Sequence, residues 1–140
     1  MIVLTKLNVM RMLTTILILM ISIPVFAPGE KSFCVVQPEE INYYALLIKA
    51  VVMVESNGNN MAFNPSEGAV GAFQIRQCRI SHYNQLTGSN HALIDCYDYN
   101  LSRKVFLYFA RGKDYETAAR NWNGRWDLTK NYWKQIKSKL

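Results

Sequence analysis

From residue 38 onward, apolar residues recur at helical spacing in separate blocks. Ile41, Tyr44, Ile48, Val51 and Val52 fall three or four apart, the pattern of one buried helix face. Pro38 followed by Glu39 and Glu40 marks the start of this helix, because proline suits the first turn and acids suit the positive end of the helix dipole. Continued by one step, the stripe reaches Glu55. Asn57-Gly58-Asn59-Asn60 then ends the helix, and Asn64-Pro65-Ser66 is a second turn signal. Gln77 to Leu86 predicts a helix stopping at Thr87-Gly88, and Ser89 to Tyr99 a connecting segment. Leu101 to Ala110 predicts a further helix, with Leu101, Val105, Tyr108 and Phe109 on one side and Gly112 as its stop. Asp114 caps a helix through Tyr115, Ala118, Ala119 and Trp122 that Asn123-Gly124 breaks. Asp127 caps a terminal helix bearing Leu128, Tyr132, Ile136 and Leu140 at four-residue spacing, its Lys130, Lys134, Lys137 and Lys139 suiting a solvated or wall-facing side. The pattern predicts a mainly α, single helical domain with at most a small β-hairpin between Asn57 and Phe73.

The first 27 residues have a different pattern. Lys6 and Arg11 are their only charges, Met12 to Ile23 is apolar except for Thr14, Thr15 and Ser22, and Pro24-Val25-Phe26-Ala27 resembles the small-residue end of an export signal. Pro28 disfavours processing directly after Ala27. The run from Met12 to Ala27 is 16 residues, short of the roughly 20 that a spanning helix needs. Residues 1–27 are therefore expected to be a signal peptide or a retained membrane anchor, 28–38 a lead-in, and 39–140 a domain outside the cytoplasmic membrane. A chain of 140 residues, half apolar and 19% charged, is globular and holds one such domain. Its formal charge of +6, two units of it from Lys6 and Arg11, suits an anionic polymer such as cell wall, nucleic acid or membrane surface. A solvated basic surface satisfies the charge equally well.

In an oxidising compartment a Cys78–Cys96 bridge is expected to stabilise the domain by about 3 kcal/mol, with Cys34 unpaired or competing for a partner. Cys78-x3-His82 and His91-x4-Cys96 also supply a tetrahedral zinc set. Their irregular spacing, the export signal and the disulfide reading count against it, and no metal is expected.

Glu55 is the most informative single residue. Burial disfavours a carboxylate's charged form and raises its pKa, as a general acid working near neutrality requires. The alternative is a helix-end carboxylate turned to solvent or capping a loop. Gly68 and Gly71 permit unusual backbone angles. Gln74 is a hydrogen-bonding partner for a polar ligand, or an ordinary surface amide.

Three blocks in order resemble the lytic transglycosylase family of the lysozyme-like superfamily. Glu55-Ser56 ends a helix as the family's catalytic Glu-Ser does. Gly68-Ala69-Val70-Gly71-Ala72-Phe73-Gln74-Ile75 is similar to its G-A-x-G-L-M-Q-I segment, with Ala72-Phe73 replacing Leu-Met. Ala118-Ala119-Arg120-Asn121-Trp122-Asn123-Gly124 is similar to its A-x-x-Y-N-x-G block, with Trp122 in place of tyrosine and Gly124 directly after Asn123. The resemblance implies an α+β lysozyme-like fold. It also implies cleavage of the β-1,4 bond between N-acetylmuramic acid and N-acetylglucosamine in peptidoglycan, with closure of a 1,6-anhydro ring.

By matched position Glu55 is the expected acid and base, and Ser56 supports the site by hydrogen bonding. Gln74 and Asn123 orient the sugar, while Trp122 offers a ring face to a pyranose or walls the cleft. Glycosidases that use water or a covalent intermediate normally need two carboxylates, and Glu67 is the one other acid in the motif region. An attack by the sugar's own hydroxyl needs no second carboxylate. Tyr83, Tyr97, Tyr99 and Trp126 are candidate groove aromatics, with core packing as the default.

No cofactor is implied. The expected partner is peptidoglycan glycan, not nucleic acid, with membrane anchoring through residues 12–27 and a secretion, conjugation or phage assembly apparatus as further partners. Two other functions fit the same residues: a hydrolytic lysozyme, and a non-catalytic wall-binding or assembly adaptor, which the departures in the second and third blocks motivate.

Overall fold

The computed structural model describes residues 43–124 and 129–140. The expectations for residues 1–27, the 28–38 lead-in with Cys34, the Pro38 helix start, Trp126 and the Asp127 cap lie outside them. Among the described residues the chain is mainly helical with one two-stranded sheet, and no helix is long and apolar enough to cross a membrane.

Helix α1 (Ala45–Ser56) buries Leu47, Ile48, Ala50, Val51 and Val52, so the periodic stripe faces the core as its spacing predicts. It ends where Asn57 turns left-handed at φ 53°, a conformation asparagine tolerates, and its amide returns to the Met53 carbonyl. Strands β1 (Phe63–Asn64) and β2 (Ala69–Val70) pair antiparallel, Phe63 opposite Val70 and Asn64 opposite Ala69. Asn64 Oδ1 shapes the turn between them by accepting from the Ser66 amide at 3.1 Å and the Ser66 hydroxyl at 2.7 Å.

After β2 the chain reverses again at once. Val70 and Ile75 exchange both backbone hydrogen bonds at 2.9 Å, pinching residues 71–74 into a tight loop. Phe73, at the tip of this loop, is fully buried against Phe106 and Trp122, with ring centroids 5.5 and 6.3 Å away. The reversal depends on Gly71. Its φ is +75°, and a Cβ there would stand 2.2 Å from the Cys96 carbonyl oxygen.

Helix α2 (Gln77–Thr87) stops at Gly88, whose φ of 67° is left-handed. A 3-10 turn (Leu93–Tyr97) lies within the expected connecting segment. Short-range carbonyl partners suffice there, since Ser102 donates to the Cys96 carbonyl at 2.5 Å. Asp98 caps helix α3 (Tyr99–Ala110) by accepting from the Leu101 amide, and Asp114 caps helix α4 (Tyr115–Asn123) by accepting from the Thr117 amide. Helix α5 (Lys130–Lys137) follows Thr129 and inserts Tyr132 and Ile136 into the core. It packs on α1 and α4, while α4 also packs on α3. Tyr44 binds the chain end of α1 to the far end of α3. Its one hydroxyl proton is shared between the Ala110 and Lys113 carbonyls, and its oxygen accepts from the Lys113 amide.

The expected Cys78–Cys96 bridge is not present. Cys78 is an exposed free thiol on the first turn of α2, whereas Cys96 is a buried free thiol beneath the Gly71 loop. Burial, reinforced by Asp95, pushes the Cys96 thiol up to about 11, which leaves little of the thiolate that disulfide exchange requires. Among the described residues no group of three or more His, Cys, Asp or Glu side chains converges as a metal site. His82 lies against Phe109 and His91 against Tyr83.

Gly71→Ala is expected to destabilise the fold by about 3 kcal/mol or more, because a backbone oxygen blocks the methyl group and the φ is unfavourable. Urea unfolding monitored by tryptophan fluorescence measures it, with Gly68→Ala, where a Cβ meets nothing within 4 Å, as the milder comparison.

Candidate active site

The two turns that flank the hairpin bring the C-terminal end of α1, the Gly71–Ile75 loop, the start of α2 and the end of α4 around one cleft. It is open to solvent and lined by Glu55, Glu67, Gln74, Ile75, Arg76, Arg79, Trp122 and Asn123. Four of the five site residues expected from the sequence therefore line it, and the fifth, Ser56, braces it from behind.

Glu55 leaves the last turn of α1 half-buried. Tyr132, only 8% exposed, reaches across from α5 and donates its hydroxyl to Glu55 Oε1 at 2.7 Å. Oε2 makes no hydrogen bond to the described residues and is left for the cleft. Two large effects on Glu55 oppose each other. Loss of water around the carboxylate raises its pKa, and the Tyr132 hydrogen bond lowers it; the Glu67 charge adds a smaller rise and Arg76 a smaller fall. Burial wins, and the pKa is pushed from 4.5 up to about 7. Tyr132 is itself pushed far above the ordinary tyrosine range, first by burial and then by Glu55, so its proton stays in place and it acts purely as a donor.

Ser56 holds two elements together. Its hydroxyl proton is shared between the Val52 carbonyl at 3.1 Å, one turn back in α1, and the Ala72 carbonyl at 2.9 Å in the facing loop. This fixes the loop against the helix that carries Glu55. Gln74 sits at a positive φ of 48°, unusual for a residue with a Cβ and costing on the order of 1 kcal/mol. Its Nε2 donates to the Gly71 carbonyl at 3.0 Å, and the side-chain oxygen has no partner among the described residues. The side chain lines the cleft beside Glu55.

Trp122 is 6% exposed and its indole N–H donates to the Phe73 carbonyl at 3.2 Å. Phe73 and Phe106 pack against its ring edge to face, and the Arg79 guanidinium carbon stands 4.9 Å from its centroid. With its ring so covered, Trp122 walls the cleft. Asn123 keeps an exposed side chain, while its carbonyl accepts from Arg76 at 3.4 Å. Glu67 lies on the hairpin turn, 4.0 Å from Arg76, and both side chains are substantially exposed; such a pair adds little stability. Tyr83 is core, packed edge to face on Tyr108, while Tyr97 and Tyr99 are partly buried against the core.

Tyr132, Arg76 and Arg79 were not anticipated. A signal existed for Tyr132: it falls on the apolar stripe of the terminal helix, and a buried hydroxyl needs a partner. Arg76 is the extended N-cap of α2 and Arg79 lies in its first turn, but nothing in the sequence says which surface the start of that helix meets. Comparison with family models, with curated proteins and with solved structures finds no match for the chain.

The Glu55 shift has a definite sign in stability. With a folded pKa of about 7 and an unfolded value of 4.5, the folded protein retains a proton that the unfolded chain releases. Its contribution is complete below pH 4.5 and is lost as pH rises through about 7. Relative to Glu55→Gln, the protein is expected to lose about 3 kcal/mol across that range. Urea unfolding of both at a series of pH values measures the difference, and parallel curves would place Glu55 in water.

Proposed function

We propose that the chain is a peptidoglycan lytic transglycosylase with a lysozyme-like arrangement, and that it acts in the cell envelope. The observation that carries this reading is a single carboxyl group, Glu55, raised to about 7 by burial, with one oxygen held by Tyr132 and the other left for the cleft. A carboxyl that keeps its proton near neutrality is matched to protonating a leaving oxygen. The Glu55-Ser56, Gly68–Ile75 and Ala118–Gly124 resemblances support the same reading, and their candidate residues meet at this cleft.

In the proposed reaction Glu55 gives its proton to the glycosidic oxygen as the bond to the anomeric carbon of the muramic acid residue breaks. The resulting carboxylate takes the proton of that sugar's 6-hydroxyl while its oxygen bonds to the anomeric carbon. The anhydro ring closes and Glu55 is again protonated, so one group serves in both halves. The nucleophile belongs to the substrate, and correct placement of the ring supplies much of the rate. Gln74 Oε1 and the Asn123 side chain are the groups that orient the sugar, and Trp122 walls the cleft beside them.

A hydrolytic reading has one observation in its favour. Glu67 lines the same cleft, and a second carboxylate is what a hydrolase uses. Its exposed position and its pairing with Arg76 favour an electrostatic part in raising Glu55 over activation of water. A non-catalytic wall-binding or assembly adaptor would use the cleft without turning substrate over.

The full chain incubated with purified peptidoglycan is expected to release muropeptides that end in 1,6-anhydro rings, 18 mass units below the hydrated products on the basis of one lost water. Glu55→Gln is expected to lower the rate at least a hundredfold with the fold intact, and kcat/KM to fall above about pH 7 as Glu55 loses its proton. Reducing-end products would establish a lysozyme, and wall binding with no product an adaptor.

A further inference from the structure

The positive charge in the cleft is not accounted for by general acid catalysis. Arg79 is half-buried with its guanidinium between the rings of Phe109 and Trp122, 4.8 and 4.9 Å from their centroids. Its Nη2 donates to the carbonyls of Asn121 at 3.2 Å and Trp122 at 2.9 Å, where α4 ends. The plane is thus fixed, whereas Nε and Nη1 have no partner among the described residues. Arg76, three positions earlier at the extended N-cap of α2, has Nη2 on the Asn123 carbonyl at 3.4 Å and Nη1 no nearer than 4.0 Å to Glu67. The two cations are close enough for Arg76 to add to the fall that burial causes in Arg79. While Glu55 holds its proton, both face only the Glu67 carboxylate among the lining residues.

A guanidinium held in place with open donors, beside a second, more exposed one, suits a carboxylate, which accepts two parallel N–H bonds. Sugar hydroxyls do not call for two like charges in one cleft. We propose that Arg76 and Arg79 form a carboxylate-binding subsite beside Glu55 that selects glycan bearing an acidic substituent. Resting on the reading of the cleft as a peptidoglycan site, the acid is the lactyl carboxylate of a muramic acid residue without a stem, or a free carboxylate of the peptide stem where the lactyl group is amide-linked to one. The subsite sets which glycan is seated at Glu55; it takes no part in the bond breaking.

The test is calorimetric titration of the full chain carrying Glu55→Gln, which binds without turnover. The probes are chitotetraose, a stem-free muramic acid-containing tetrasaccharide, its stem-bearing form, and the acid forms with their carboxylates amidated. An acid form is expected to bind about tenfold tighter than its amidated counterpart, and adding Arg76→Ala is expected to remove that preference while leaving chitotetraose unchanged. A preference already present without the stem assigns the lactyl carboxylate, and one confined to the stem-bearing form assigns the peptide. Arg79→Lys, which keeps the charge but loses the planar fork, is expected to retain part of the preference, with circular dichroism melts confirming that both variants fold. Equal affinity for acid and amide would overturn the subsite and leave the transglycosylase reading standing. Failure to bind any of the glycans would overturn both.

Discussion

A carboxyl group at the end of a buried helix stripe costs the fold stability whenever it ionises, and the rest of this structure is arranged around that cost. Glu55 follows Val51 and Val52 on the stripe that packs α1 into the core, so its carbon chain is drawn out of water with them. Tyr132 offsets part of the penalty with one strong hydrogen bond, and does so from the other end of the sequence. The balance holds the group near a pKa of about 7, poised between acid and base. A more complete set of donors would return it to an ordinary carboxylate, and full burial without Tyr132 would keep it protonated too far above neutrality to give up its proton and take one back.

The loop that faces Glu55 is fastened at several points. Ser56 ties the loop to α1 through the Ala72 carbonyl, Gly71 lets it press on the Cys96 carbonyl, and Phe73 roots it between Phe106 and Trp122. Gln74 is held at its unfavourable φ by these attachments. The aromatic cluster under the loop also receives Arg79, which closes the end of α4 and fixes the cationic side of the cleft. Core packing and site geometry are therefore carried by the same residues, and a substitution in the Phe73–Trp122 cluster is felt at both.

Much of this was legible in the sequence because it is local. The α1 stripe, the Asp114 cap, the Gly88 stop and the hairpin window follow from spacing and turn chemistry, and the stripe alone placed Glu55 on the buried side. Asp98 as a cap and the 3-10 turn at Leu93–Tyr97 were less visible, since the latter is held by Ser102 from the next helix. The disulfide expectation failed because cysteine spacing says nothing about burial, which separates Cys96 from Cys78. Tyr132 and the arginine pair were hidden because their roles depend on tertiary contacts across 77 positions in one case and 43 in the other. Trp122's place in the motif left a sugar-facing ring and a cleft wall both open, and its packing against Phe73, Phe106 and Arg79 favours the wall.

The proposed chemistry requires Glu55 to stay protonated near neutrality in the folded chain. The most direct measurement is a carbon-13 NMR titration of the glutamate side-chain carboxyls, with Glu55 assigned by its disappearance in Glu55→Gln. A midpoint near 7 is predicted, well separated from the exposed glutamates. A midpoint near the ordinary value of 4.5 in the folded protein would contradict it.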